Sequence, residues 1–173
     1  SGAPLSKAQL EQLVAPIALH PDPLLSQMLM ASTYPIEVVQ AARWAKENPG
    51  VSGAALEDAM QKQPWDPSVK ALTAVPQALQ MMSDKLDWTQ QLGDAFLGQQ
   101  EELLAAVQNL RQRAQAAGRL KSSEQQTVKT VQAPTGAGTP TGTGAPSMIA
   151  IEPANPEYLS VPVYDPRVVY GDW

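Results

Sequence analysis

Apolar residues recur at helical spacing through most of the first 118 positions, which favours a set of packed amphipathic helices. The capping-box pattern from Ser6 to Gln9 opens the first of them. This helix is expected to reach about Leu19 and to kink at Pro16, because proline removes a backbone donor and clashes with the preceding turn. The segment therefore predicts a bent helix at the start of the domain.

Prolines are expected to start several of the helices that follow. At the first helical position proline gives up an N–H group that has no partner there, and its fixed φ already suits the helix. The predicted starts are Asp22-Pro23, Tyr34-Pro35, Asp66-Pro67 and Val75-Pro76, with a further start at Ser52. The aspartate of each Asp-Pro pair is expected to cap its helix. The helix from Pro23 to about Ser32 is apolar on most sides and should be central.

No proline occurs between Gln77 and Ala133, so a long helix is expected from about Trp88 to Ala117, closed by Gly118. Apolar residues seven positions apart give it a stripe like that of a coiled coil. Gly93 and Gly98 each weaken a helix interior by about 1 kcal/mol relative to alanine, which leaves room for a break near them. The stripe could pack on the short helices or on a second copy, and we favour the short helices.

After Gly118 the apolar period changes to that of short strands, predicted at 128–131, 148–151 and 159–164. Residues 134–146 contain only Pro, Thr, Gly and Ala and are expected to form a flexible loop. The predicted fold class is mainly α with a small C-terminal antiparallel β-sheet (α+β). We expect linker or cloning-derived residues at 1–5, a helical domain at 6–118, and a sheet appendage at 119–173 docked on the helices.

Charge and composition exclude several functions. The chain carries a formal net charge of −5 and has no basic stripe, which argues against binding to nucleic acid or to an anionic membrane. Its apolar runs fall short of the roughly 20 residues that a membrane-spanning helix needs. With no cysteine and a single histidine, the sequence predicts neither a metal site nor a cofactor site.

Candidate catalytic groups are few. His20 could act as a general base oriented by Asp22, but no nucleophile motif accompanies this pair, and His20 is interpreted as a helix-end residue. The neighbouring carboxylates Glu57 and Asp58, like Glu101 and Glu102, point about 100° apart on a helix and do not converge. The sequence thus predicts a non-enzymatic protein.

Aromatic residues offer the best candidate binding surface. They are Trp65, Tyr158, Tyr164, Tyr170 and Trp173, four of which fall in the last sixteen residues. Such side chains suit contacts with proteins or sugars. Packing of the sheet onto the helices is the competing interpretation and the more common use of aromatic side chains. Asp165-Pro166 is expected to start one helical turn that ends at Gly171.

Two stretches resemble a known family. The segments 13–25 and 32–39 (LVAPIALHPDPLL and STYPIEVV) are similar to the opening of the bacterial family called domain of unknown function 3300. The segments 151–156 and 161–166 (IEPANP and VPVYDP) resemble its close. The likeness extends over nearly all of residues 5–171.

The resemblance implies a periplasmic or otherwise exported protein of a Gram-negative bacterium, in a family whose members often continue into a low-complexity tail. A residue equivalent to His20 is commonly tyrosine in that family, which weakens a catalytic part for it. We expect a non-catalytic envelope protein that binds or scaffolds another macromolecule, an unknown protein or an envelope glycan. The alternatives are a polysaccharide or peptidoglycan-binding module, with Trp65, Tyr158 and Tyr164 as stacking platforms, and a carboxylate-dependent hydrolase. Oligomerisation through the 88–117 helix is the less favoured use of that helix.

Overall fold

Nine helices and a two-stranded sheet make up the part of the chain that this computed structural model describes, residues 4–122, 126–132, 147–153, 164 and 166–170. In order these elements are α1 Lys7–Val14, α2 Asp22–Ala31, α3 Pro35–Glu47, α4 Gly53–Gln61, α5 Pro67–Leu72, α6 Pro76–Asp84, α7 Leu86–Gly98, α8 Gln100–Ala116, β1 Gln126–Gln132, β2 Ser147–Pro153 and α9 Pro166–Val169. The predicted class, mainly helical with a small antiparallel sheet towards the C-terminus, is confirmed.

Proline does start helices where the sequence places it, at the first residue of α3, α5 and α6. Asp22 and Asp66, which both precede prolines, nevertheless behave differently. Asp66 caps α5, since its carboxylate accepts the backbone N–H of Ser68 at 3.0 Å. Asp22 was expected to do the same for α2, but that helix has no side-chain cap. Its carboxylate is engaged elsewhere in the fold.

The first helix ends at Val14, five residues before the expected end at Leu19. Pro16 has no N–H to donate, and the N–H groups of Ile17 and Ala18 both reach back to the carbonyl of Val14. Residues 15–20 therefore form a buried turn rather than a kinked helix. The turn leaves several backbone carbonyls without partners inside the helix, and other parts of the chain bind them.

The long helix expected from Trp88 to Ala117 is divided in two, so that expectation is corrected. α7 ends at Gly98 and α8 begins at Gln100, because Gln99 takes a non-helical conformation with φ −137° and ψ 45°. The break falls at one of the two glycines that weaken the pattern. Gly118, with φ +73°, closes α8 as predicted, since this left-handed conformation suits glycine.

Close helix packing explains the other glycine. A β-carbon on Gly93 would overlap the carbonyl oxygen of Ser32, at the C-terminal end of α2. Glycine at this position lets α7 lie directly against the end of α2. Gly93 lowers the helix propensity of α7, but it allows the backbones of α7 and α2 to approach closely.

The apolar stripe of α8 is used inside the chain. Leu103, Val107, Leu110 and Ala114 are all buried, and α8 packs against α1. The favoured interpretation of the stripe, packing on the short helices, matches this arrangement. α2 is also central, with Leu24, Met28 and Leu29 in the core.

The strands β1 and β2 pair antiparallel, with Val128 opposite Ile151 and Thr130 opposite Ile149. Ile149 and Ile151 are buried, and β2 contacts both α2 and α8. The hairpin thus lies on the helices by its apolar face. The predicted strand at 159–164, apart from Tyr164, and the predicted loop at 134–146 lie outside the described residues. The helical turn expected at Pro166 is present as α9.

Candidate functional site

The aromatic residues chosen from the sequence do not form an exposed platform where the structure describes them. Trp65 is buried, and its indole N–H donates to Oε1 of Gln40 at 3.1 Å. Tyr170 is buried too, and Tyr164 is partly buried. For Trp65 and Tyr170 a surface role is therefore corrected to a packing role. Tyr158 and Trp173 lie outside the described residues.

His20 and Asp22 do not form a base with its orienter. The imidazole is 3% exposed, and its Nδ1 atom finds no hydrogen-bond partner among the described residues. Burial, followed by the nearby charge of Arg111, lowers the pKa of His20 to about 4, so the ring is neutral near pH 7. Asp22 instead accepts a hydrogen bond from Arg111.

The adjacent carboxylates lie on the surface. Glu57 and Asp58 are exposed on α4, and Glu101 and Glu102 are exposed in the first turn of α8. Within the described ranges no three His, Asp or Glu side chains gather closely enough to hold a metal ion. No described helix is both long enough and apolar enough to span a bilayer.

A buried arginine organises the turn at residues 15–20. The guanidinium of Arg111, on α8 and 1% exposed, donates to the carbonyls of Ala18 at 2.7 Å, His20 at 2.9 Å and Ile149 at 2.8 Å. It also donates to Oδ1 of Asp22 at 2.6 Å. One side chain thereby joins α8, the turn, the start of α2 and strand β2.

Two tyrosines bind the same turn from the C-terminal region. The hydroxyls of Tyr164 and Tyr170 each donate to the carbonyl of Ala15 at 2.9 Å, and the backbone N–H of Leu19 donates to the Tyr164 hydroxyl. The rings of Tyr164 and His20 meet edge to face at 6.3 Å. Burial raises the pKa of Tyr164 to about 12 and that of Tyr170 further, so both stay protonated. We call Arg111, His20, Asp22, Tyr164 and Tyr170 with this turn the Arg111 cluster.

The hydrogen bonds of the Arg111 cluster stabilise the fold. Most of its donors are directed at the carbonyls of Ala15, Ala18 and His20, which the end of α1 and the prolines leave without intrahelical partners. The neutral state of His20 fits this environment, because a second cation beside the guanidinium would be costly. The cluster thus binds the chain to itself.

An open groove lies between α1 and α7 on another part of the molecule. It has a volume of about 1060 Å³. Its lining residues are Pro4, Leu5, Gln9, Gln12 and Leu13 from the start of the chain, and Trp88, Gln91, Asp94, Ala95, Leu97, Gly98 and Gln99 from α7 and the break that follows it. We call it the α1–α7 groove.

The floor of the α1–α7 groove is apolar and its rim is amide-rich. Leu13 and Ala95 are buried, and Trp88 is partly buried with its indole N–H donating to the carbonyl of Leu13 at 2.7 Å. Leu97, which also lines the groove, is 73% exposed. Gln12 and Gln91 are exposed along the rim.

A family model described as "Protein of unknown function (DUF3300)" matches residues 6–173 of this chain. The chain belongs to the DUF3300 family. It is also 47% identical, over 186 aligned residues, to the "Uncharacterized protein YacH" of Escherichia coli strain K12. That alignment covers 97% of this chain and 30% of the relative, so the chain spans less than a third of the length of this curated relative. No solved structure matches the chain.

In this DUF3300 chain, the Arg111 cluster is easier to predict from the sequence than the α1–α7 groove. Arg111 lies four residues after Val107 and three before Ala114, inside the buried stripe of α8, and an arginine in an apolar stripe is a sign of a buried polar contact. The α1–α7 groove has no comparable sign. Part of its lining comes from the break between α7 and α8 at Gln99. The sequence pattern is compatible with such a break, but it also fits a continuous helix.

Proposed function

We propose that this DUF3300 domain is a non-catalytic binding module of an exported cell-envelope protein, and that it holds another macromolecule in the α1–α7 groove. The observation that carries this proposal is the groove itself, with an apolar floor, a leucine left 73% exposed and exposed amide groups along its rim. Such a combination of apolar contact area and a few polar groups is typical of binding sites. The exported location is supported by the family resemblance.

The distribution of polar groups favours binding over chemistry. The buried polar side chains of the Arg111 cluster are directed at the protein's own backbone. The adjacent carboxylates on α4 and α8 are exposed and point apart. Contact area in the groove is thus the feature best suited to act on another molecule.

A polysaccharide is the second candidate occupant, and Trp88 is the observation that favours it. An indole on the floor of a groove with amide side chains around it can stack on a sugar ring and bind its hydroxyls. The platform would be Trp88 rather than Trp65, which is buried.

The proposal is tested by titrating the ¹⁵N-labelled domain with two probes, a pool of short linear peptides and N-acetylglucosamine oligomers, while following backbone amide shifts. We expect saturable shifts at groove residues such as Leu5 and Gln91 with at least one probe. Leu97→Asp should abolish them. Ile36→Asp is the matched control, because Ile36 is also 73% exposed but does not line the groove. Saturable shifts confined to other surfaces, or none with either probe, would contradict the proposal.

A further inference from the structure

At the α1–α7 groove one side chain already pairs with the backbone of another residue. The side-chain amide of Gln99 accepts the N–H of Leu5 at 2.9 Å and donates to the carbonyl of the same residue at 3.0 Å. A primary amide thus binds both polar groups of one peptide residue, as a neighbouring strand would. The residue held in this way, Leu5, lies before α1 and lines the groove.

From this contact we infer that the α1–α7 groove binds an extended polypeptide segment, whose backbone is paired by glutamine side chains and whose apolar side chains enter the floor. This inference rests on the proposed function and names its partner class. The groove offers more amides of the same kind than the chain itself uses. In the described part of the chain, the side chains of Gln12 and Gln91 make no hydrogen bond, and both are exposed at the rim.

The dimensions of the groove suit a short strand. Its wall on α7 extends from Trp88 to Gly98, and the ten steps between these residues, at about 1.5 Å each, give a length of about 15 Å. An extended peptide rises about 3.3 Å per residue, so about five residues would lie along this wall. Alternate side chains of such a segment would face the floor formed by Leu13, Ala95 and Trp88.

Charge restricts the segment further. Of the twelve lining residues that the structure describes, Asp94 alone is charged, and the whole chain has a net charge of −5. A neutral or basic segment is therefore favoured, and an acidic one is disfavoured by repulsion. Glutamine pairs with backbone groups whatever the side chains are, so specificity would come from the apolar pockets and the charge.

The experiment selects peptides from a displayed library of random linear segments of about seven residues, long enough to extend beyond the groove. Clones that bind Leu97→Asp are discarded. Selected sequences are then synthesised, and their dissociation constants are measured by fluorescence anisotropy. We expect alternating apolar residues and no net negative charge. Methylation of alternate backbone nitrogens should weaken binding about tenfold or more, because each blocked N–H loses a hydrogen bond.

Two variants distinguish hydrogen bonding to the peptide backbone from nonspecific apolar binding. Replacing both rim amides, Gln12→Leu with Gln91→Leu, keeps apolar area and should weaken binding about tenfold. Ile36→Asp should leave it unchanged. Peptides that bind equally well after methylation and to the double variant would overturn the backbone-pairing inference. Binding of N-acetylglucosamine oligomers in the groove without any peptide binding would overturn it too, while leaving the proposed function intact. If neither probe binds, both proposals fail.

Discussion

The Arg111 cluster and the α1–α7 groove use polar side chains in opposite ways. In the cluster a guanidinium and two tyrosine hydroxyls are directed at backbone carbonyls of the same chain, and these groups are buried or partly buried. In the groove, Gln12 and Gln91 are exposed to solvent. The difference separates a region that holds the fold together from the region to which we assign binding of a partner. Substitutions in the cluster should therefore lower the free energy of unfolding, whereas substitutions in the groove should weaken peptide binding.

Arg111→Met should have the largest effect on stability. Removing the guanidinium takes a charged donor away from three carbonyls and from the carboxylate of Asp22, whose side chain is 44% exposed, and the loss of several such hydrogen bonds costs about 3–5 kcal/mol. The free energy of unfolding, measured by urea denaturation, should fall by about that amount.

Arg113→Met is the matched control for Arg111→Met. Arg113 lies on the same helix, its side chain is 32% exposed, and it approaches Glu11 at 3.7 Å. The guanidinium is partly solvated and lies 3.7 Å from a carboxylate whose side chain is 10% exposed, so removing Arg113 should cost less than removing Arg111. Equal losses in the two variants would show that the cluster is not special to the fold.

Acid should weaken the cluster next, through His20. Burial in the folded chain holds the pKa of His20 at about 4, below its ordinary value of 6.5, so the unfolded chain binds the proton more readily. Stability from the neutral ring is present above about pH 6.5 and is lost as the pH falls towards 4, by about 3 kcal/mol. The ring lies near the charge of Arg111, which is itself hydrogen-bonded to Asp22, and it meets the ring of Tyr164 edge to face.

His20→Gln isolates this titration from that of the carboxylates, since glutamine stays neutral throughout. Urea denaturation of both proteins at pH 7, 5 and 4 should show the wild type losing more stability than the variant as the pH falls. Parallel curves for the two proteins would mean that His20 titrates normally.

Gly93→Ala should have a smaller effect, and it tests whether the wall of the groove is fixed by packing. The added carbon meets the backbone carbonyl of Ser32, which cannot rotate away, so α7 must shift at a cost of about 1–3 kcal/mol. Gly98→Ala, where the added carbon meets nothing, should stabilise the domain by about 0.5 kcal/mol. Thermal and urea unfolding of the two variants check the opposite signs.

The helices and the strand pair are easier to predict from the sequence than the groove, because they depend on local chain chemistry. Helix starts at Pro35, Pro67 and Pro76 follow from local chain chemistry, and the pairing of β1 with β2 follows from local alternation. Asp22 is an exception to this local rule. Its carboxylate does not cap its own helix and instead binds Arg111, 89 residues away. Long-range partners of this kind leave no local pattern.

The burial of Trp65 and Tyr170 has the same origin. An aromatic residue suits both a core and a surface, and only the positions of Gln40 and Ala15 in the fold place these two side chains inside. The groove is hardest to predict, since its shape depends on the break at Gln99 and on the contact of that residue with Leu5.

Leu97→Ser should have the smallest effect on stability and sharpens the comparison most. The side chain is 73% exposed, so its removal from water contributes little to folding, and the free energy of unfolding should change by about 0.5 kcal/mol or less. Binding of a selected peptide should nevertheless weaken about tenfold, because the apolar contact area lies beside the floor of the groove. Urea denaturation and fluorescence anisotropy on the same sample measure both quantities. A variant that loses stability without losing affinity would place Leu97 with the residues that hold the fold, and would remove the groove from the binding role.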